Sequence, residues 1–191
     1  MINIGFDFDG VLCYSVPFLI RFFHDKYGFW LTDNKPKFHF DFPPEYDIRK
    51  VRTDIAEAIL KYNKHMTPHK DAVTGLHNIV DVLDIERVKV VSARHPSTEI
   101  VTKRWLEKWF PSLQFETHII NRGSQKRKAC EELNITHFVE DRYKTVLDLA
   151  KTLNTVFIYD AVYNERPVPD NVIRVSKLND VAQWLLKRRK P

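Results

Sequence analysis

The sequence predicts an α/β protein: a doubly wound, Rossmann-like parallel sheet with a small, mainly helical cap inserted after the first strand. Three observations predict it. Several short apolar runs, rich in Ile, Val and Phe, do not alternate with polar residues, which is how strands covered on both faces read. Amphipathic helical stretches lie between most of these runs, and strands alternating with helices imply right-handed crossovers in one sheet. One interval, about sixty residues between the first strand and the next core helix, far exceeds a usual strand–helix connection of roughly 2–6 residues.

Taken in order, Ile2–Phe8 is the first apolar run. The long interval, residues 15–75, carries helical patterns at Val16–Tyr27 and near Ile48–Tyr62. It is dense in aromatics: Phe18, Phe22, Phe23, Tyr27, Phe29, Trp30, Phe38, Phe40 and Phe42. Ala72–Asp84 places Val73, Leu76, Val80 and Leu83 on one helical face, and Val88–Ser92 follows as a strand. Pro96–Phe110 repeats Val101, Trp105 and Trp109 every fourth residue, ahead of a strand at His118–Ile120 and a helix at Gln125–Leu133. His137–Glu140 is a strand, and Tyr143–Leu153 is a helix on Val146, Leu149 and Leu153. Strands Thr155–Tyr159 and Val172–Val175 precede a last helix, Leu178–Leu186, on Leu178, Val181, Ala182 and Leu185. The core is therefore expected at 1–14 and 76–191, with the cap at 15–75.

The composition is that of a globular chain: 43% hydrophobic and 29% charged over 191 residues. No apolar run approaches the ~20 residues that a membrane span requires. The start MINIGFDFDG has no basic region and meets an acid at Asp7, so it does not read as a signal peptide. Cys13 and Cys130 lie far apart in no metal-ligand spacing and read as packed, reduced thiols, so a cytoplasmic location is expected. The net charge of +5 suits an anionic partner and equally suits general solubility. The basic run Lys187–Lys190 reads as the solvated end of a helix, where cations suit the dipole.

Four polar clusters sit at predicted strand ends or helix starts. The strongest is Asp7-Phe8-Asp9-Gly10-Val11-Leu12, two carboxylates two residues apart directly past an apolar strand, at the sheet edge where open α/β folds bind ligands. Gly10 permits a sharp exit or a close approach. A calcium loop also begins D-x-D, but its glycine belongs at position six and its bidentate acid at twelve. Here the glycine is at position four and position twelve is Phe18. The second cluster is Ser92-Ala93-Arg94, which reads either as phosphate ligands or as a serine capping the next helix. The third is Lys126 or Lys128 at a helix start, where a cation opposes the dipole unless an anion binds; Lys126 is the favoured one. The fourth is Glu140-Asp141-Arg142, which suits a hard cation or a solvated turn.

In this order the clusters resemble the haloacid dehalogenase (HAD)-like phosphohydrolases, and the 5′(3′)-deoxyribonucleotidase branch more closely. The closer likeness rests on Ser92-Ala93-Arg94, on Lys126 through Leu133 and Ile135 to Glu140-Asp141-Arg142, and on a helical cap after the first motif. The resemblance implies Mg2+, held by Asp7, the Asp9 main-chain carbonyl and Asp141, with Glu140 acting through water. It implies an aspartyl-phosphate on Asp7, proton transfer by Asp9, and Ser92 and Lys126 binding the phosphoryl group. Asp9 is then expected to have a raised pKa. Phe8, Ala93, Arg94, Phe18 and Phe22 are the expected substrate contacts, the last two as stacking surfaces for a base, against the competing reading that a small helical cap needs its aromatics for its own core. The departures are Ser92 for Thr, Glu140 for Asp, and Thr145 where a further acid is common.

The expected partner is a small phosphomonoester, in the first place a nucleotide. Neither membrane nor nucleic acid is expected, and a homodimer stays open. A sugar phosphatase, a phosphatase for nucleic-acid 3′-phosphate ends, and a non-catalytic phosphate- or partner-binding module are the competing readings.

Overall fold

The computed structural model describes residues 2–28 and 47–188. In chain order its elements are β1 (Ile4–Phe6), β2 (Cys13–Tyr14), α1 (Val16–Tyr27), α2 (Ile48–Tyr62), β3 (Thr67–Pro68), α3 (Ala72–Leu83), β4 (Arg87–Ser92) and α4 (Glu99–Trp109), then β5 (Gln114–Ile119), α5 (Lys126–Glu132), β6 (His137–Glu140), α6 (Tyr143–Leu149), β7 (Thr155–Tyr159), β8 (Val172–Val175) and α7 (Leu178–Arg188). Six strands form one parallel sheet in the order β5-β4-β1-β6-β7-β8. The chain walks outward from β1 to β4 and β5, crosses back to β6, and walks out the other way. This is the doubly wound order, and its reversal leaves a crevice beyond the carboxyl ends of β1, β4 and β6.

Period-two alternation within these strands feeds two cores. Phe157 and Tyr159 of β7 join Ile4, Phe6, Val88 and Val90 against α3, α4 and α7. Val156 and Ile158 of the same strand join Val91 and Phe138 against α5 and α6. Both faces are covered, so the strands carry few polar residues. β5 is the exception. It is one of the two sheet edges, opposite β8; its residues are exposed or half-buried, and Gln114, Glu116 and His118 alternate along it. That polar alternation is why only its last part reads as a buried strand.

The insertion leaves and rejoins the core through the antiparallel pair β2–β3, in which Cys13 faces Pro68 and Tyr14 faces Thr67. Its helices α1 and α2 pack through Leu19, Phe22, Phe23 and Ala58. Lys26 of α1 reaches Asp54 at 2.9 Å and Glu57 at 2.5 Å, and the Tyr27 hydroxyl donates to Asp54. α3 begins at Ala72, slightly before the boundary expected at 75. Its Gly75 lets α7 approach closely, since a Cβ there would lie 2.6 Å from Leu178. Phe29, Trp30, Phe38, Phe40 and Phe42 of the cap, and Arg189 and Lys190 of the basic tail, lie outside the described residues. Arg188 covers the Trp184 ring at 3.7 Å.

Candidate functional site

The end of β1 carries the first functional group. Asp7 is one residue past β1 and still donates its N–H to Val139 of β6 at 2.9 Å. Its Oδ1 accepts from the Phe8 N–H at 2.7 Å and from Lys126 Nζ at 2.8 Å. The chain then turns sharply, with Gly10 N–H bonded to the Cys13 carbonyl and φ +80° at Gly10. The close approach expected of this glycine is to Asp141: an added Cβ would lie 2.2 Å from its Oδ2.

Lys126 opens α5 and is 2% exposed. Its ammonium bridges Asp7 and Glu140, the latter at 2.7 Å. The alternative, Lys128, points outward with a side chain 79% exposed, pairing with Glu132 on its own helix. Glu140 is fully buried and committed on both oxygens, to Lys126 and to the Arg142 N–H at 3.1 Å. Asp141 takes the Tyr163 hydroxyl on Oδ2 at 2.5 Å, while its buried Oδ1 has no hydrogen-bond partner. Asn164 ties this loop down, donating to the carbonyls of Asp141 and Tyr159 at 2.7 and 2.8 Å.

Three buried carboxylates share this small space, and their acidities reflect it. Burial pushes Asp7 up to about 8, with Glu140 adding repulsion and Lys126 opposing both. Burial and the Asp7 charge push Asp141 up to about 6, against the Tyr163 hydrogen bond. Burial raises Glu140 as well, opposed by Lys126.

Asp9 behaves otherwise. Burial favours its neutral form, but Arg94 outweighs this and holds the carboxyl below its usual range. The pair is bidentate, Nε and Nη2 each 2.7 Å from a carboxylate oxygen. Arg94 is fixed further by Thr102 at 3.0 Å and lies 4.1 Å over the Phe8 ring. The raised pKa expected at Asp9 is therefore not what this conformation has: a neighbouring guanidinium favours the charged form more than burial disfavours it. For the same reason Arg94 is spent on Asp9 instead of being presented to a substrate.

These groups floor a cleft of about 400 Å³. Asp7, Asp9, Ser92, Ala93, Arg94, Lys126 and Asp141 all line it. Ser92 closes β4, and its Oγ accepts the Arg94 N–H at 3.3 Å. Val16 and Leu19 of α1, with Val51, Ile55 and Ile59 spaced every four residues on α2, supply an apolar roof. The structure does not bring the expected aromatic contacts here. Phe18 packs near Tyr62, Phe22 is 3% exposed and packs edge-on against Phe23, and the Phe8 ring is buried against Trp105. A cap this small consumes its aromatics in its own core. Tyr163, Asn164, Arg52 and Asn121 are site residues that the sequence reading missed. Only their positions after β7, on a polar helix and after β5 mark them, and those places carry no periodic signal.

A divalent cation fits the floor. Oxygens of Asp7, Glu140 and Asp141 lie within 4.8 Å of one another, and the partnerless Asp141 Oδ1 is the buried acceptor that such an ion would satisfy. With Glu140 engaged by Lys126, the oxygens available are those of Asp7 and Asp141.

This fold is that of the HAD-like hydrolases. CbbY from Rhodobacter sphaeroides in complex with phosphate matches 95% of this chain and 96% of its own at TM-score 0.62 and 14% identity. A HAD hydrolase of family IA, variant 3, from Entamoeba histolytica matches 98% and 100% at TM-score 0.62 and 14% identity. In sequence the chain is similar to a Bacillus subtilis protein named "Putative nucleotidase YqfW", 24% identical over 97% of this chain and 94% of that one. No family model matches the chain. Among the described residues no helix is long and apolar enough to cross a membrane.

Proposed function

We propose that this protein is a magnesium-dependent, cytoplasmic phosphomonoester hydrolase that works through an aspartyl-phosphate and acts on nucleoside monophosphates. One observation carries the reading: Asp7 stands at the end of the central strand, between the Lys126 ammonium and the partnerless oxygen of Asp141, on the floor of the cleft. The fold shared with HAD-like hydrolases and the nucleotidase name of a similar protein support it.

Asp7 and Asp141, with the Asp9 carbonyl, would hold Mg2+. When bound, the ion supplies positive charge between a carboxylate and the phosphoryl oxygens, the principal obstacle to this reaction. An Asp7 oxygen attacks phosphorus, the ester P–O bond breaks, and its electron pair leaves with the alcohol oxygen. Asp9 gives that oxygen a proton. Water then attacks the aspartyl-phosphate, Asp9 takes back a proton, and inorganic phosphate leaves. Lys126 and Ser92 bind the transferred oxygens, and Glu140 holds Lys126 in place. Asp9 can donate only after Arg94 lets go of it. A phosphoryl dianion in the cleft competes for that guanidinium, and the freed, half-buried carboxyl beside that dianion then takes up a proton.

Phosphate release from a panel of nucleoside monophosphates and sugar phosphates, with Mg2+ and with chelator, tests the reading. Mg2+-dependent turnover of nucleotides, lost in Asp7→Asn, is expected. Turnover undiminished by that substitution would overturn the mechanism, and preference for sugar phosphates would overturn the substrate.

A further inference from the structure

We infer that the cleft takes a substrate with two anionic groups: a phosphoryl ester on the floor and a second phosphate at the rim, met by Arg52, Arg122 and Arg142. The inference rests on the phosphatase reading above and goes beyond its substrate, replacing a monophosphate by a phosphomonoester that carries a second phosphate.

Charge placement carries it. Five cationic side chains line the cleft, Arg52, Arg94, Arg122, Lys126 and Arg142, against the carboxylates of Asp7, Asp9 and Asp141. All three carboxylates sit on the floor, and the floor cations are already bonded to anions: Arg94 to Asp9, and Lys126 to Asp7 and Glu140. The other three cations have no ion pair with any described residue. A phosphoryl dianion bound between Lys126, Ser92 and a metal ion uses none of them.

The rim is also built. Arg52 projects from α2 of the cap to the loop after β5, where its Nη2 donates to the Asn121 carbonyl and to Asn121 Oδ1, the latter at 2.7 Å. Asn121 presents both acceptors from a left-handed backbone conformation, φ +61°. No bond to a described residue uses Nε or Nη1 of Arg52, so a guanidinium fixed through one nitrogen keeps donors in hand. Arg122 is the next residue, and Gly123 after it leaves room for Arg142, whose Nη1 would stand 3.8 Å from a Cβ there. The apolar side chains Val51, Ile55 and Ile59 of the roof line the same cleft. That combination of surfaces suits a phosphate, a body with an apolar face, and a second phosphate, as in a nucleoside 3′,5′-bisphosphate or a sugar bisphosphate.

The test compares matched pairs: a nucleoside 5′-monophosphate with its 3′,5′-bisphosphate, and a pentose monophosphate with its 1,5-bisphosphate. Asp7→Asn protein is titrated with each by calorimetry, so binding is read without turnover, and kcat/KM is measured on unaltered protein. One pair is expected to show the bisphosphate bound at least about tenfold more tightly, since charge-assisted bonds to arginine are worth more than one factor of ten. The pair that shows it identifies the body. Arg52→Gln combined with Arg122→Gln is expected to cut the ratio severalfold, and adding Arg142→Gln or raising the salt concentration to bring it close to one. A ratio near one in both pairs overturns the inference even if monophosphates are hydrolysed. A ratio that survives removal of all three arginines, or a 3′-phosphorylated oligonucleotide that outcompetes both bisphosphates, overturns it too. Loss of all Asp7-dependent hydrolysis with the binding ratio intact would instead count against the phosphatase reading.

Discussion

Replacing Asp7 by asparagine should make the metal-free protein more stable while destroying its activity. The native carboxyl is held at about 8, against an ordinary value of 3.8, chiefly by burial and by Glu140. Below pH 4 the group is protonated in both folded and unfolded chains and costs nothing. Between pH 4 and 8 the unfolded chain gives up this proton and the folded chain keeps it, so stability falls by roughly 1.4 kcal/mol per pH unit. At pH 7 the penalty is on the order of 4 kcal/mol, a large part of a typical domain's stability. The Asp7→Asn variant escapes it, less whatever Lys126 loses with one of its two carboxylates gone. Urea unfolding with chelator at pH 5, 6, 7 and 8 reads the difference, which should widen as pH rises. Mg2+ should reverse the order at pH 8, because it binds the ionised Asp7 and Asp141 of native protein and thereby stabilises only the folded state. A variant less stable than native protein in chelator, or a gap that does not grow with pH, would show that the floor is not a strained cluster of carboxylates waiting for a cation.

Three further substitutions probe the same site. Gly10→Ala puts a methyl 2.2 Å from Asp141 Oδ2 on a φ of +80°, so unfolding in urea should show a loss of at least about 2 kcal/mol, and the Mg2+ stabilisation should shrink with it. Tyr163→Phe frees Asp141 Oδ2 while Asn164 still anchors the Asp141 carbonyl; the Mg2+ concentration for half-maximal rate should rise about 10–100-fold with little change in saturating kcat. Arg94→Gln removes the guanidinium that holds Asp9 acidic, so the limb of the kcat/KM profile belonging to Asp9 should move to higher pH; an unmoved limb would separate Asp9 from proton transfer.

The legible parts of this molecule are those where one physical demand dominates a contiguous stretch. β6 and β7 are interior strands covered on both faces and read correctly to the residue, as does the short apolar edge strand β8; β5, the other edge, alternates with polar residues and reads short. Asp7-Phe8-Asp9-Gly10 is legible because acids directly after an apolar strand, with a glycine that must be left-handed, leave few other uses. Tyr163 and Asn164 are not, since their partner Asp141 lies some twenty residues away in the chain and nothing periodic connects them. Arg52 reads as an ordinary solvent-facing arginine until the fold lays α2 against the loop at Asn121.

Asp9 and Arg94 show a different kind of limit. Both were identifiable as site residues from their places after β1 and β4, but the sequence says nothing about which of them a third group will claim. The fold sets their charged ends 2.7 Å apart, with Arg94 buried and Asp9 half-buried at the cleft, so each neutralises the other until something more anionic arrives. On the proposed mechanism the resting site would thereby be closed to adventitious proton transfer, and the phosphoryl group itself would carry the charge that competes for Arg94. A cleft ordered this way, with its floor cations paired internally and its rim cations not, selects for a ligand that brings two separate negative charges. Binding at the rim and release of Asp9 at the floor would then be properties of one substrate, and a monoanion should achieve neither.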